Sequence, residues 1–373
     1  MSTLKRKART WGLIAAAVLG IHALMLLLAH LVIQGAFHPG ELRTMAVSRL
    51  TEPGDATRDL DIARNGYTAT GENAINLVFY PLYPLLIRAL SVMTGSLPLS
   101  GVLISQISYA AASILLFETI LLDGDRRCAW DGVLLMALYP FSMFAMGVFS
   151  EGLFLLLSIG CLYALRRQRY IAVGILGFLA ALTRTQGVLL LFPAVCDIVS
   201  RRLGAEKRKL RGKDALILLI SAGFGVYLFI NYRLHGNCLQ FLQFEAGAPW
   251  YQSTRWIGEN IATQFQMALD YSGLDWIIYW PQIILYAAAL GVLLWGVRRK
   301  ERISELVYGG VYLGFTYLSG WMISGGRYLM CCVPMYLILC KVKPGMARGL
   351  LFLGSGLLFF AYSLFYLIGY AIM

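Results

Sequence analysis

The chain has 373 residues, of which 58% are hydrophobic and 14% are charged. Soluble domains have roughly 45–50% apolar and about 25% charged residues, so this composition excludes a soluble globular protein. The formal net charge is +12, and its meaning depends on where the basic residues lie relative to the apolar segments. The seven cysteines lack C-x-x-C and metal-ligand spacing, so the sequence predicts neither a disulfide framework nor a zinc site.

The first apolar segment, at 11–33, follows four basic residues at 5–9. It exceeds the length of about 20 residues that crosses a hydrocarbon core, and no small-residue cleavage site follows it. This pattern favours an uncleaved first helix over a signal peptide. Further apolar segments lie at 99–122, 132–149, 152–165, 170–183, 187–200, 214–232, 276–297, 304–324, 328–340 and 349–370. We therefore expect an all-α polytopic membrane protein with about 11 transmembrane helices in one integral membrane domain over residues 1–373.

The basic residues predict the orientation of these helices. Six groups, at 5–9, 126–127, 166–169, 201–213, 298–302 and 341–348, hold 23 of the 32 Lys and Arg residues. All six fall on the cytoplasmic side if the stretch at 79–95 lies along the membrane surface without crossing it. We expect the protein in the cell (inner) membrane, and this topology places its N-terminus in the cytoplasm and its C-terminus on the extracytoplasmic side. It also explains the net charge, so we expect no nucleic acid partner.

Two long loops then lie on the extracytoplasmic side, at 34–98 and at 233–275. The first contains Asp55, Asp59 and Asp61 beside Arg58 and Arg64. Three carboxylates in seven residues offer a general base or ligands for a divalent cation. The alternative is a solvated helix start, with Asp55 as the N-cap and the other charges in local pairs. The composition alone favours this alternative.

Three charged residues lie at the outer ends of apolar segments: Glu151, Arg184 and Arg327. Glu151 is expected either to cap a helix or to act as an active-site carboxylate at the membrane edge. The two arginines either extend toward lipid headgroups or together bind a phosphate, which suits planar and permanently charged donors. His235 in the second loop shows no partner in the sequence, which favours a surface role over catalysis.

Five segments occur in a characteristic order. They are Asp55 followed by I-A-R-N-G-Y at 62–67, F-Y-P-L-Y-P at 79–84, F-S-E-G-L-F at 149–154, T-R-T-Q-G at 183–187, and G-R-Y at 326–328 before Pro334. Together they resemble the PIG-V family of membrane mannosyltransferases and its bacterial relatives, which belong to the GT-C class. The chain departs from the family pattern at Gly54, where the family has Trp, and at Arg58, where it has an aromatic residue. Donor or acceptor specificity is therefore expected to differ.

The resemblance implies transfer of a hexose, most simply mannose, from a polyprenyl-phosphate donor to a lipid-linked or extracytoplasmic glycan acceptor. It implies an inverting mechanism with Asp55 as general base and with Arg184 and Arg327 on the donor phosphate. The remaining candidates for the substrate pocket are Glu151, Asp59, Asp61, Tyr67, Tyr80, Tyr83, Tyr328 and His235. No cofactor is assigned, a divalent cation stays open, and the oligomeric state is not predicted.

Two other classes of protein also fit the sequence. A flippase-like transporter of lipids or glycolipids would have many helices and charged outer loops, although transporters bind their substrates near the midplane of the membrane. A scaffold subunit with decayed chemistry is the third alternative, because the family's Trp is missing at Gly54. Membrane lipids are expected partners in all three cases.

Overall fold

The computed structural model describes residues 3–36, 50–51, 54–204, 209, 211–270, 276–320 and 324–369. Within these residues every regular element is helical and no β-strand is present, which confirms the expected all-α class. The α-helices are α1 (Thr3–Ala36), α2 (Asp55–Asn65), α3 (Leu82–Thr94), α4 (Leu97–Ile120), α5 (Arg126–Ala137), α6 (Glu151–Arg166), α7 (Tyr170–Ala181), α8 (Leu191–Leu203), α9 (Leu219–His235), α10 (Gln240–Ala246), α11 (Ile257–Asp270), α12 (Trp276–Arg298), α13 (Ile303–Leu318), α14 (Gly325–Leu329), α15 (Val333–Leu339) and α16 (Met346–Leu367). Short 3₁₀ segments lie at Glu72–Val78, Ser142–Ala145, Thr185–Leu190 and Gly212–Leu218.

Five helical stretches among the described residues are long and apolar enough to cross a membrane. A crossing helix needs about 20 predominantly apolar residues, because each residue advances only about 1.5 Å along the axis. The five stretches are Lys5–Val32, Leu97–Ile120, Gly212–His235, Ile277–Arg298 and Met346–Leu367. The chain is therefore a multi-pass membrane protein.

The other six apolar segments of the sequence are helical only over shorter lengths. The segment at 132–149 contains the end of α5 and a 3₁₀ segment, with Pro140 between them. The segment at 170–183 forms α7, whose 12 residues end before Arg184. A helix of that length extends about 18 Å, against about 30 Å for a hydrocarbon core. The expected count of eleven crossing helices is therefore not confirmed.

The stretch at 79–95, which we expected to lie along the membrane surface, forms the 13-residue helix α3. The preceding 3₁₀ segment, Glu72–Val78, meets α3 at an angle of 109°. Alone, α3 extends about 20 Å and is too short for a full crossing. Its position relative to the membrane stays a prediction. Parts of both long outer loops, at 37–49, 52–53 and 271–275, lie outside the described residues.

Close packing against α4 fixes the start of α6. A Cβ atom added to Gly152 would lie 2.5 Å from the backbone oxygen of Ser105, so only glycine fits here. The Ser105 hydroxyl donates to the backbone oxygen of Phe149 at 2.8 Å, and the Tyr83 hydroxyl lies 2.8 Å from the same Ser105 oxygen. These contacts hold Glu151, the first residue of α6, in one position relative to α4.

The opposite end of α6 is held by ion pairs. Arg166 donates two hydrogen bonds to Glu305, at 2.6 and 2.9 Å, and a third to Asp123 at 2.9 Å. Arg302 also pairs with Asp123. Since Glu151 and Arg166 are the first and last of the 16 residues of α6, they lie about 22 Å apart along the helix axis. The structure therefore has two polar ends with an apolar bundle between them.

The contact between α7 and α9 gives a test of this packing. A Cβ atom on Gly223 of α9 would lie 2.3 Å from the backbone oxygen of Phe178, whereas one on Gly225 would have no neighbour within 4 Å. We expect Gly223→Ala to destabilise the fold by about 1–3 kcal/mol through overpacking. Gly225→Ala on the same helix should be neutral or stabilise by up to about 1 kcal/mol, because alanine favours helices. Thermal unfolding in detergent compares the two variants, and equal melting temperatures would contradict the packing described.

Candidate active site

A cavity of about 320 Å³ lies at the end of the bundle where α6 begins. Ligand sites are typically about 300–1,000 Å³, so this volume suits one small polar headgroup. Its five charged lining residues come from four separate parts of the chain: Asp55 and Asp59, Arg184, Glu245, and Arg327. Its aromatic lining residues are Phe79, Tyr80, Phe144, Phe149, Trp250, Tyr328 and Tyr366.

Arg327 connects two carboxylates that are far apart in the sequence. Its Nε donates to Glu151 Oε1 at 2.5 Å, and its Nη1 donates to Asp55 Oδ2 at 2.5 Å. Glu151 is fully buried, whereas 32% of the Asp55 side chain is exposed. One guanidinium therefore joins the first outer loop to the start of α6 and leaves Asp55 accessible from the cavity.

Arg184 binds the same glutamate. Its Nη1 lies 2.7 Å from Glu151 Oε1 and donates to the Ser150 hydroxyl at 3.1 Å. Its guanidinium carbon lies 5.1 Å from the centre of the Tyr328 ring. Two arginines thus share one buried carboxylate oxygen. Glu151 Oε2 is buried and has no hydrogen-bond partner in the described part of the chain.

Local backbone features place each of these side chains. Asp55 begins α2 directly after Gly54, whose φ of 56° lies in the region that favours glycine. Arg184 is an extended residue between α7 and the next 3₁₀ segment. Gly187 permits that tight connection, because a Cβ atom there would lie 2.3 Å from the backbone of Ala180.

Arg327 lies on the short helix α14. The backbone N–H of Gly326 donates to the Gln282 side chain at 2.6 Å, and the Gly326 carbonyl accepts from the Tyr139 hydroxyl at 2.9 Å. The Arg327 guanidinium carbon lies 4.3 Å from the centre of the Phe144 ring and 5.0 Å from that of Phe149. These faces attract the cation and keep water from it, which strengthens its ion pairs.

Asp59 lies one helical turn after Asp55 and also lines the cavity, but it is buried. Burial raises the pKa of the Asp59 carboxyl well above its usual range, and the negative charges of Asp55 and Glu151 raise it further. Burial therefore favours the protonated form of the Asp59 carboxyl. The two aspartates of α2 have different environments, because Asp59 is buried and Asp55 receives a hydrogen bond from Arg327.

The second long loop contributes lining residues that are not among the sequence candidates: Glu245, Trp250 and Gln252. Burial raises the pKa of Glu245 to about 7. The Arg58 guanidinium carbon lies 5.9 Å from the centre of the Trp250 ring, and the Phe79 ring lies 6.1 Å from it. The sequence signal for these three residues was the polar and aromatic composition of the loop that contains them.

The sequence candidates fall into two groups. The structure brings Asp55, Asp59, Tyr80, Arg184, Arg327 and Tyr328 to the cavity, with Glu151 in contact behind them. Asp61, Tyr67, Tyr83 and His235 do not line it. Tyr67 instead donates to the backbone oxygen of Phe79 at 2.6 Å, and the His235 ring packs against Phe244 at 5.3 Å. Asp61 accepts hydrogen bonds from Asn65 and Asn76, both at 2.7 Å.

The described residues contain no group of three or more His, Cys, Asp or Glu side chains that could hold a metal ion. The three aspartates of the first loop have separate environments: Asp55 pairs with Arg327, Asp59 is buried, and Asp61 accepts hydrogen bonds from two asparagines. They are therefore not arranged as a common set of ligands.

Comparison with protein families gives one match, to a family model described as mannosyltransferase (PIG-V), over residues 55–287. The matched range is more than half of the chain and contains Asp55, Glu151, Arg184 and Trp250, while Arg327 lies beyond it. Comparison with curated proteins and with solved structures finds no match.

The shared carboxylate gives a test of the site's construction. Glu151→Gln removes the negative charge between two buried guanidinium groups, so we expect a loss of about 3–5 kcal/mol in unfolding free energy. The measurement is thermal unfolding in detergent, with Glu72→Gln, at an exposed glutamate, as the matched control. A Glu151→Gln protein as stable as the control would show that the arginines do not depend on this carboxylate.

Proposed function

Since this chain belongs to the PIG-V family of mannosyltransferases, we propose that it transfers mannose from a polyprenyl-phosphate donor to a lipid-linked or extracytoplasmic glycan acceptor, with inversion at the anomeric carbon. The observation that carries this proposal is the hydrogen bond from Arg327 to Asp55 at the wall of the cavity. It combines a carboxylate suited to accept a proton with a cation suited to bind a phosphate.

Asp55 is the proposed general base. It is accessible from the cavity, and its Oδ2 is held by Arg327. Its Oδ1 accepts no hydrogen bond from the described residues and is free to receive the proton of the acceptor hydroxyl. Asp59 suits this role less well, because its side chain is buried and burial favours the protonated form of its carboxyl.

The arginines suit the donor phosphate. A polyprenyl-phosphate sugar is a phosphodiester with one negative charge, and departure of the sugar leaves a phosphate monoester with close to two. Arg184 and Arg327 line the cavity with only 12% and 8% of their side chains exposed, and charge interactions are strong where water is largely excluded. Glu151 is a positioning residue, because it touches both guanidinium groups and lies behind the cavity wall.

The reaction then proceeds in one displacement. The acceptor oxygen attacks the anomeric carbon while its proton passes to Asp55. The bond from the anomeric carbon to the phosphate oxygen breaks, and its electron pair stays on the phosphate beside the arginines. Inversion follows because the nucleophile and the leaving group lie on opposite faces of the sugar.

We place this site on the extracytoplasmic face of the inner membrane and the N-terminus in the cytoplasm. The support is the distribution of charge at the two ends of α6. The end with Arg166 adjoins the basic segments at 298–302 and 341–348, which are typical of cytoplasmic loops. The cavity lies at the other end.

Two observations favour an enzyme over the alternative functions. A transporter would bind its substrate near the midplane of the membrane, whereas this cavity lies at one end of α6. A decayed scaffold would have no need to keep Asp55, Arg184, Glu151 and Arg327 in contact. The missing family Trp at Gly54 leaves this network intact.

The two aspartates of α2 give a matched test of the base. We expect Asp55→Asn to fold and to lose at least about 10² in turnover, because general base catalysis contributes about 10²–10⁴. Asp59→Asn should keep turnover within about tenfold, because asparagine resembles the protonated acid in shape and charge. The assay uses the protein in proteoliposomes that contain lipids extracted from the source cells. It measures the transfer of labelled mannose to these lipids from a short-chain polyprenyl-phosphate mannose. Loss of turnover in Asp59→Asn alone would assign the base to Asp59.

A second test concerns the phosphate. Arg184→Lys keeps the charge but removes the planar pair of donors, so we expect the donor KM to rise about tenfold and kcat to fall, with the acceptor KM unchanged. Arg64→Lys, at an exposed arginine of α2, is the control. If the arginine only anchors the protein to headgroups, lysine will replace it without loss in either parameter.

A further inference from the structure

We propose that the second outer loop forms a hexose-binding wall, in which the indole of Trp250 stacks on the apolar face of a sugar ring and the side chains of Glu245 and Gln252 bind its hydroxyl groups. This inference deepens the proposed transferase function and rests on it.

Trp250 lies at the same cavity as the proposed base. Arg58, three residues after Asp55 on α2, places its guanidinium 5.9 Å from the centre of the Trp250 ring. The indole is therefore near the first turn of α2. Gly54 adds no side chain in this region, and the position of its missing Cβ has no neighbour within 4 Å. The space beside Asp55 is thus open.

Hydrogen bonds hold Arg58, which packs on the Trp250 ring, in place. Arg58 Nη1 donates to Asn76 Oδ1 at 2.9 Å, and Asn76 Nδ2 donates to Asp61 Oδ2 at 2.7 Å. These two hydrogen bonds give Asp61 a role outside the cavity. Asp61 orients Asn76, and Asn76 in turn orients the Arg58 guanidinium that packs on the indole. Phe79 contacts the same indole, with 6.1 Å between the ring centres.

Backbone contacts fix the loop on both sides of Trp250. The N–H of Gln252 donates to the carbonyl of Glu245 at 2.7 Å, and the N–H of Tyr251 donates to the carbonyl of Gly247 at 2.8 Å. Further along, the N–H of Arg255 donates to Leu318, the last residue of α13, at 2.9 Å. The wall is therefore a preformed surface.

The chemistry of this wall fits a sugar ring. An aromatic face is electron-rich and attracts the weakly positive C–H bonds on one face of a hexopyranose. A carboxylate accepts hydrogen bonds from sugar hydroxyls, and an amide both donates and accepts them. Glu245 forms no ion pair with the described residues, so its carboxylate is available. Glu245, Trp250 and Gln252 offer phosphate no positive charge, unlike the two arginines of the same cavity.

The hexose has two sources, the donor and the acceptor, and kinetics distinguish them. The experiment compares Trp250→Ala and Trp250→Phe with Trp256→Ala, which changes an exposed tryptophan of the same loop. We expect Trp250→Ala to raise one sugar substrate's KM about tenfold, which corresponds to about 1.4 kcal/mol. Trp250→Phe should restore most of this loss. A rise in the donor KM assigns the wall to the transferred mannose, and a rise in the acceptor KM assigns it to the acceptor sugar.

A binding measurement separates this inference from the proposed function. Methyl α-mannoside at millimolar concentration should change the tryptophan fluorescence of the wild-type protein and of Trp256→Ala in a saturable way, and should not change that of Trp250→Ala. If the wild type transfers no mannose, the proposed function fails and fluorescence alone decides the inference. If Trp250→Ala matches Trp256→Ala in both KM values and in fluorescence, the sugar-binding wall is refuted.

Discussion

The hydrogen bonds of Arg327 to Asp55 and Glu151 are the contacts on which the site depends. They join the first outer loop, the start of α6 and the short helix α14, which are separated by up to 272 positions in the chain. Because Glu151 also pairs with Arg184, a fourth segment is included. Buried ion pairs of this kind stabilise a protein only when every charge has a partner. Glu151, which two arginines share, is therefore the residue whose loss should cost the network most.

The same network divides the work between two neighbouring aspartates. Asp55 and Asp59 share a helix face and both line the cavity, but Asp55 is the more exposed of the two and receives a hydrogen bond from Arg327. Burial raises the pKa of the Asp59 carboxyl and so favours its protonated form. This difference limits the negative charge near an incoming phosphate, so the two arginines can attract it. The aromatic rings of Phe144 and Phe149 pack against the Arg327 guanidinium and keep water from it, which strengthens its attraction for phosphate.

The sequence predicted the helical class and the membrane association, because hydropathy acts locally. The family resemblance drew attention to Asp55, Glu151, Arg184 and Arg327, which the structure brings together at one end of α6. The sequence did not predict that Glu151 would lie behind the cavity or that Asp61 would bind Asn76, since such contacts depend on tertiary packing. The count of eleven crossing helices from hydropathy is not confirmed, because hydropathy does not register breaks in a helix such as those at Pro140 and Arg184. Trp250 was missed because an aromatic residue in a loop has no periodic signal.

A structure with a bound, unreactive analogue of polyprenyl-phosphate mannose would test the central proposal most directly. We expect the phosphate within hydrogen-bond distance of Arg184 or Arg327 and the anomeric carbon facing Asp55, with the lipid tail leaving the cavity toward the bilayer. A phosphate bound at the end of α6 that carries Arg166, or a sugar turned away from Asp55, would contradict the assignment of this cavity as the site of transfer.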